Sequence, residues 1–133
     1  MLVELLTAVV IVGILAAIAI PTYRSYSRGA ADKLAHSDIR NAVTTIEACV
    51  VDRPYPTRIT SVGVMTGCTG ERIRLSANTR IRYVPTGNPV RSFVLTSTNY
   101  GGAGGQGKVY CYSSAAGGGA VREVAGTLAS ATC

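Results

Sequence analysis

Four cysteines, a single histidine, closely spaced arginines and one glycine-rich lysine segment are the residues with chemical capability in this chain of 133. A zinc site built on Cys49, Cys68, Cys111 and Cys133 would need a C-x-x-C pair or a second histidine, and the sequence has neither. His36 stands alone and reads as an exposed or contact residue. Gly102 to Lys108 (GAGGQGK) matches the start of a phosphate-binding loop, but Val109 stands where a Ser or Thr must hold magnesium. The residues after Lys108 read as a strand, whereas such a loop must open a helix. No Ser-His-Asp, Cys-His or paired-carboxylate arrangement is available, so neither an enzyme nor a cofactor is expected. The chemistry left to the cysteines is oxidation. Four of them in so short a chain indicate an oxidising exterior compartment. Of the three pairings that four cysteines allow, proximity in the chain favours Cys49–Cys68 with Cys111–Cys133. The alternatives would join the region of Cys49 to the far terminus.

The arginines alternate with apolar residues in Arg72-Ile73-Arg74-Leu75 and again in Arg80-Ile81-Arg82-Tyr83. Two paired strands with Ser76 opposite Arg80 would place Leu75 against Ile81 and Ile73 against Tyr83 on one face. Arg74 would then oppose Arg82 on the other, close to Arg72 and Arg80. Like charges in that position repel, which makes Arg72, Arg74, Arg80 and Arg82 candidate contacts for DNA or another anionic surface. The charge distribution agrees. Residues 1–52 hold four basic and five acidic side chains and residues 53–133 nine and two, so the first part carries −1 and the second +7, which together make the net charge of +6. Such a field attracts polyanions and also keeps a protein soluble.

These groups need elements to position them. From Leu5 to Ile20 the chain has no charged residue, and twenty helical residues span roughly 30 Å, the thickness of a bilayer core. A cleaved signal peptide would carry basic residues ahead of the apolar run and a small-residue cleavage motif after it; Pro21-Thr22-Tyr23-Arg24 stands there instead. Glu4 is the exception within an otherwise apolar segment, and a carboxylate there requires a cation or an aqueous interface. Beyond Pro21, Ala35, Ile39, Ala42, Val43, Ile46, Cys49 and Val50 recur at helical spacing, with Asp38, Arg40, Asn41 and Glu47 off the stripe. The helix is expected to run to about Asp52 and to end at Arg53-Pro54. Short alternating runs come next at 72–75, 80–83, 92–96, 108–112 and 121–124, separated by Gly, Pro and Asn turns. They predict an antiparallel sheet with one face covered by the amphipathic helix. The fold class is α+β, with three parts: an apolar helix segment over 1–23, an amphipathic continuation over 24–52, and a β head over 53–133.

With Glu4-Leu5-Leu6 and Gly13-Ile14-Leu15-Ala16-Ala17-Ile18-Ala19-Ile20-Pro21-Thr22-Tyr23, the segment 1–23 resembles the N-terminus of mature type IV pilins. The remainder matches that family only in general organisation. Glu4, Gly13 and Pro21 each stand one place earlier than in the family, which implies one further mature residue ahead of Met1. The resemblance implies a homo-oligomeric helical filament whose core is made of the apolar helices, with Glu4, Gly13 and Pro21 as assembly positions. It implies local unwinding between Gly13 and Pro21 in that filament, an N-methylated terminus, and handling by an inner-membrane assembly machinery. The subunit would wait in the inner membrane and end in an extracellular pilus serving adhesion, twitching motility or DNA uptake. A Cys111–Cys133 pair would resemble the C-terminal disulfide loop of many pilins. The alternatives are a type II secretion pseudopilin, a minor pilin, or a membrane-anchored binding domain. Pseudopilin heads typically carry a C-terminal calcium site, and here Glu123 is the one acidic residue after Glu71.

Overall fold

A computed structural model describes residues 1–51, 54–66, 72–101, 106–116 and 119–133. Its first element is a single α-helix, α1 (Leu2–Cys49), of 48 residues. At 1.5 Å per residue this is a rod about 72 Å long. Leu, Ile, Ala and Val dominate its first part, and the one helix breaker inside it is Pro21. Proline removes an N–H and crowds the carbonyl four residues back, yet the helix is unbroken across Gly13–Pro21. The local unwinding that the resemblance implies concerns the filament; in the single chain this segment is helical throughout. The Thr22 hydroxyl donates to Ile18 O at 2.8 Å, one turn back, adding a bond beside the proline. α1 stops slightly earlier than expected: Val50 N–H donates to Glu47 O at 3.2 Å, closing the last turn, and Pro54 lies just beyond.

Two short strands, β1 (Arg58–Ile59) and β2 (Met65–Thr66), form a small antiparallel ribbon. Four further strands make the main sheet in chain order: β3 (Thr79–Thr86), β4 (Ser92–Asn99), β5 (Val109–Ser113) and β6 (Arg122–Val124). Every neighbouring pair is antiparallel, so the sheet is a simple meander. β3 continues past Tyr83 through Pro85, which is tolerated because β3 is an edge of this sheet.

Period two decides which side chains reach the core. Ile81 and Tyr83 on β3, Phe93 and Leu95 on β4, and Tyr112 on β5 pack against Ile39, Ala42 and Ile46 of α1. Phe93 is the hub, with ring centroids 5.2 Å from Tyr55, 5.4 Å from Tyr83 and 5.8 Å from Tyr112. The opposite face is buried as well, unlike the one-sided sheet predicted. Thr96, Thr98, Val109 and Cys111 lie there with little exposure. Thr98 donates its hydroxyl to Gly107 O at 3.2 Å, Thr96 lies 3.4 Å from Leu128 O, and Cys111 is bonded to Cys133. The helix covers one face and the chain's own tail covers the other.

Two expectations are corrected. The segment Arg72–Leu75 is not a strand paired with β3; Arg82 is opposite Thr96 and Arg80 opposite Thr98 on β4. The reason is long-range capture. Ile73 N–H donates to Gly63 O at 3.0 Å, and Ser76 donates its N–H and hydroxyl to the Asp38 carboxylate at 2.9 and 3.0 Å. Gly63 takes φ +85, and any side chain there would run into the Ile73 carbonyl, so this approach needs glycine. Asp38, placed off the apolar stripe from the sequence, is therefore buried on the packed face.

Candidate functional site

Over residues 2–26 nearly every residue of α1 is exposed. Leu2, Val9, Ile11, Ile14 and Ile18 are all more than half exposed, and the segment is long and apolar enough to cross a membrane. An unpartnered apolar surface of this size is not sustained in water; it needs lipid or other helices. Glu4 projects from the same rod, fully exposed, with the Met1 ammonium of its own chain 3.5 Å away. Gly13 presents a bare backbone, with nothing within 4 Å of the position a methyl group on its Cα would take. Pro21 lies beside Arg24 and Arg28, which mark the end of the apolar run. Tyr23 and Tyr26 stand out from the rod, three-quarters exposed.

Below residue 30 the helix is bolted to the head. The Lys108 N–H donates to Asp32 Oδ1 at 2.8 Å, and Ser97 Oγ donates to the Ala35 carbonyl at 3.0 Å. Gly107 makes the first of these contacts possible, since a Cβ on it would sit 2.5 Å from Asp32 Oδ1. Tyr112 donates its hydroxyl to Glu47 Oε1 at 3.1 Å; burial first, then this bond, raises its pKa. Tyr83 donates to Pro56 O at 2.8 Å, and burial pushes its pKa to about 12. His36 packs edge-on against Tyr110 with centroids 5.1 Å apart, a contact residue.

The cysteines divide by what the structure describes. Cys111 and Cys133 form a disulfide with Cα atoms 5.6 Å apart. Cys49 is disulfide-bonded too; its expected partner, Cys68, lies outside the described residues. Most of the glycine-rich match, 102–105, also lies outside them. Its lysine is engaged elsewhere: Lys108 Nζ is 2.7 Å from Glu123 Oε2 across the β5–β6 pair, and Val109 opens β5.

The arginine quartet is split. Arg72, Arg74 and Arg80 line one concavity of about 660 Å³ with Val62 and Leu75, whereas Arg82 borders a separate one beside Tyr100 and Gln106. All four are exposed, and none forms an ion pair among the described residues. Sequence reasoning missed Asp38 and the loop it holds, because their partners are 38 residues apart. The absence of turn residues between Arg72 and Ser76 carried no hint of it. Among the described residues no group of three His, Cys, Asp or Glu side chains gathers to hold a metal ion. Searches against protein-family models, curated proteins and solved structures found no match, so the reading of function rests on the residues themselves.

Proposed function

We propose that this chain is a structural, non-enzymatic subunit of a helical filament of the type IV pilus kind, assembled through the exposed apolar half of α1. The carrying observation is that the most apolar segment of the molecule is also its least buried, and that it bears a lone carboxylate. A membrane anchor alone accounts for the apolarity and would place Glu4 at the aqueous interface, with no role in assembly. In a bundle of such helices an unpaired carboxylate costs several kcal/mol, and the N-terminal ammonium of a neighbouring copy relieves most of that. Exchange of lipid for other apolar helices discriminates poorly between axial positions. The charge pair discriminates well, because a subunit one step out of register leaves both charges unpaired. Glu4 thereby sets register in the growing filament. The head, with its net positive charge and disulfide, forms the exterior on this reading, reached after a stage in the inner membrane. Pro21 and Gly13 weaken the helix where the bundle must adapt.

The test is Glu4→Ala expressed as the sole copy, with the chain quantified in membrane and sheared-filament fractions. The expected outcome is normal membrane insertion with filament yield reduced at least about tenfold, the factor that 1.4 kcal/mol of lost pairing produces. Filament yield equal to wild type would refute the role of Glu4.

A further inference from the structure

The concavity at one end of the head has a construction that the filament reading does not use. Its floor is the loop from Ile73 to Thr79, which is held to the rest of the fold along its whole length. Ile73 is bonded to Gly63, Ser76 to Asp38, Ala77 O to Asn99 Nδ2 at 3.0 Å, and Asn78 O to Tyr100 N–H at 3.0 Å. Asn99 Nδ2 also reaches Thr79 Oγ1 at 2.8 Å, and Asn99 is itself almost wholly buried. Asn78 at φ +63 turns the chain sharply within this frame. Arg72 and Arg74 leave one side of the loop, and Arg80 leaves the other at the start of β3. The Arg80 guanidinium donates to Thr79 O at 3.1 Å, which holds it along the rim.

We propose that Arg72, Arg74 and Arg80 form a site for a compact, multiply charged oxyanion, a phosphate or sulfate ester group. Arg72, Arg74 and Arg80 all line one concavity, with no carboxylate among the described residues that line it. Asp38 lies behind the loop, buried, with both oxygens engaged by Ser76, so it orders the floor and does not occupy the opening. Guanidinium forks bind tetrahedral oxyanions bidentately, and a backbone fixed beforehand loses little entropy when the ligand arrives. The described lining residues include no aromatic side chain. Stacked bases or sugar rings therefore have no platform, which favours the charged group itself as the recognised feature and disfavours an extended nucleic-acid track. Arg82 faces a different concavity and takes no part.

The site is a property of one subunit, so its test does not depend on filament formation. Full-length chain in neutral detergent is titrated calorimetrically with inorganic pyrophosphate and, separately, with a fully sulfated heparin-type oligosaccharide; the two arms distinguish a phosphoryl from a sulfated-sugar source. Saturable one-to-one binding is expected to at least one of them. Arg74→Gln and Arg80→Gln are each expected to weaken it about tenfold or more, the size of one lost charge-assisted hydrogen bond, while Arg82→Gln changes it less than about twofold. Arg74→Lys, which keeps the charge and removes the fork, is expected to fall between. Thermal melts of each variant confirm that the exposed substitutions leave the head folded. Absence of saturable binding to both probes overturns the proposal. So does equal sensitivity to Arg82→Gln, or binding confined to a duplex DNA oligonucleotide, since either would indicate a diffuse basic surface.

Discussion

Residues 5–20 and residues 31–46 belong to one helix, yet the uncharged stretch is exposed and the stretch containing Lys33, Asp38 and Arg40 is packed. Hydropathy alone would have assigned their places the other way. The second stretch is buried because a sheet of matching width stands opposite Ala35, Ile39, Ala42 and Ile46, while the first has no partner within its own chain. A small residue at every other contact, alanine between isoleucines, lets the sheet approach closely. The lesson is that burial follows from an available complementary surface, and that an apolar surface without one belongs to an assembly or a membrane.

The largest effect that would test this contrast comes from equal deletions in the two regions. Ile39→Ala should destabilise the head by about 2–5 kcal/mol, the cost of a cavity in a packed core. Ile11→Ala should change it by less than about 0.5 kcal/mol. Urea unfolding of the full chain in neutral detergent, followed by tyrosine fluorescence, measures both; comparable losses would erase the distinction between the halves.

A second, somewhat smaller effect separates the two covers of the sheet. Cys111 and Cys133 are 22 residues apart, and Cys133→Ser should cost about 2–4 kcal/mol by releasing that loop in the unfolded chain. Faster amide exchange is expected at Thr96 and Thr98 beneath the tail, with little change at Ile39 and Ala42 beneath the helix. Uniform acceleration at both faces would show that the covers act as a single unit.

The smallest effect is a pH dependence. Tyr83 has its pKa raised from 10.0 to about 12, chiefly by burial. The folded state therefore holds its proton more tightly than the unfolded state. Its contribution is fully present below pH 10 and is lost as pH rises toward 12. Tyr110 and Tyr112 are shifted upward too, each mainly by burial, and act in the same direction. Head stability should decline between those limits, and Tyr83→Phe should flatten the decline while costing about 1 kcal/mol at neutral pH through the lost bond to Pro56 O. An unchanged slope in that variant would assign the alkaline loss to other groups.

Much of the framework was legible because it is written in short-range periods. The helical stripe from Ala35 to Ile46, the alternating strands around Ile81, Phe93, Val109 and Glu123, and a helix end ahead of Pro54 are all local patterns. Proximity along the chain pointed to the Cys111–Cys133 pairing that the structure contains. What local pattern could not reveal is which partner wins when two are available. Arg72–Leu75 alternates like a strand, but Gly63 and Asp38 capture its neighbours from distant parts of the chain. The same competition hid the inward turn of Asp38, the burial of Thr96 and Thr98 beneath the tail, and the separation of Arg82 from the other three arginines.

The joints between α1 and the head have a mechanical meaning. Asp32, Ala35, Asp38 and Glu47 bond to Lys108, Ser97, Ser76 and Tyr112 along roughly 22 Å of helix at 1.5 Å per residue. Tension applied along the rod slides the helix past the sheet, so these attachments are loaded side by side in shear. A pull along the stalk therefore meets several hydrogen bonds between helix and head at once.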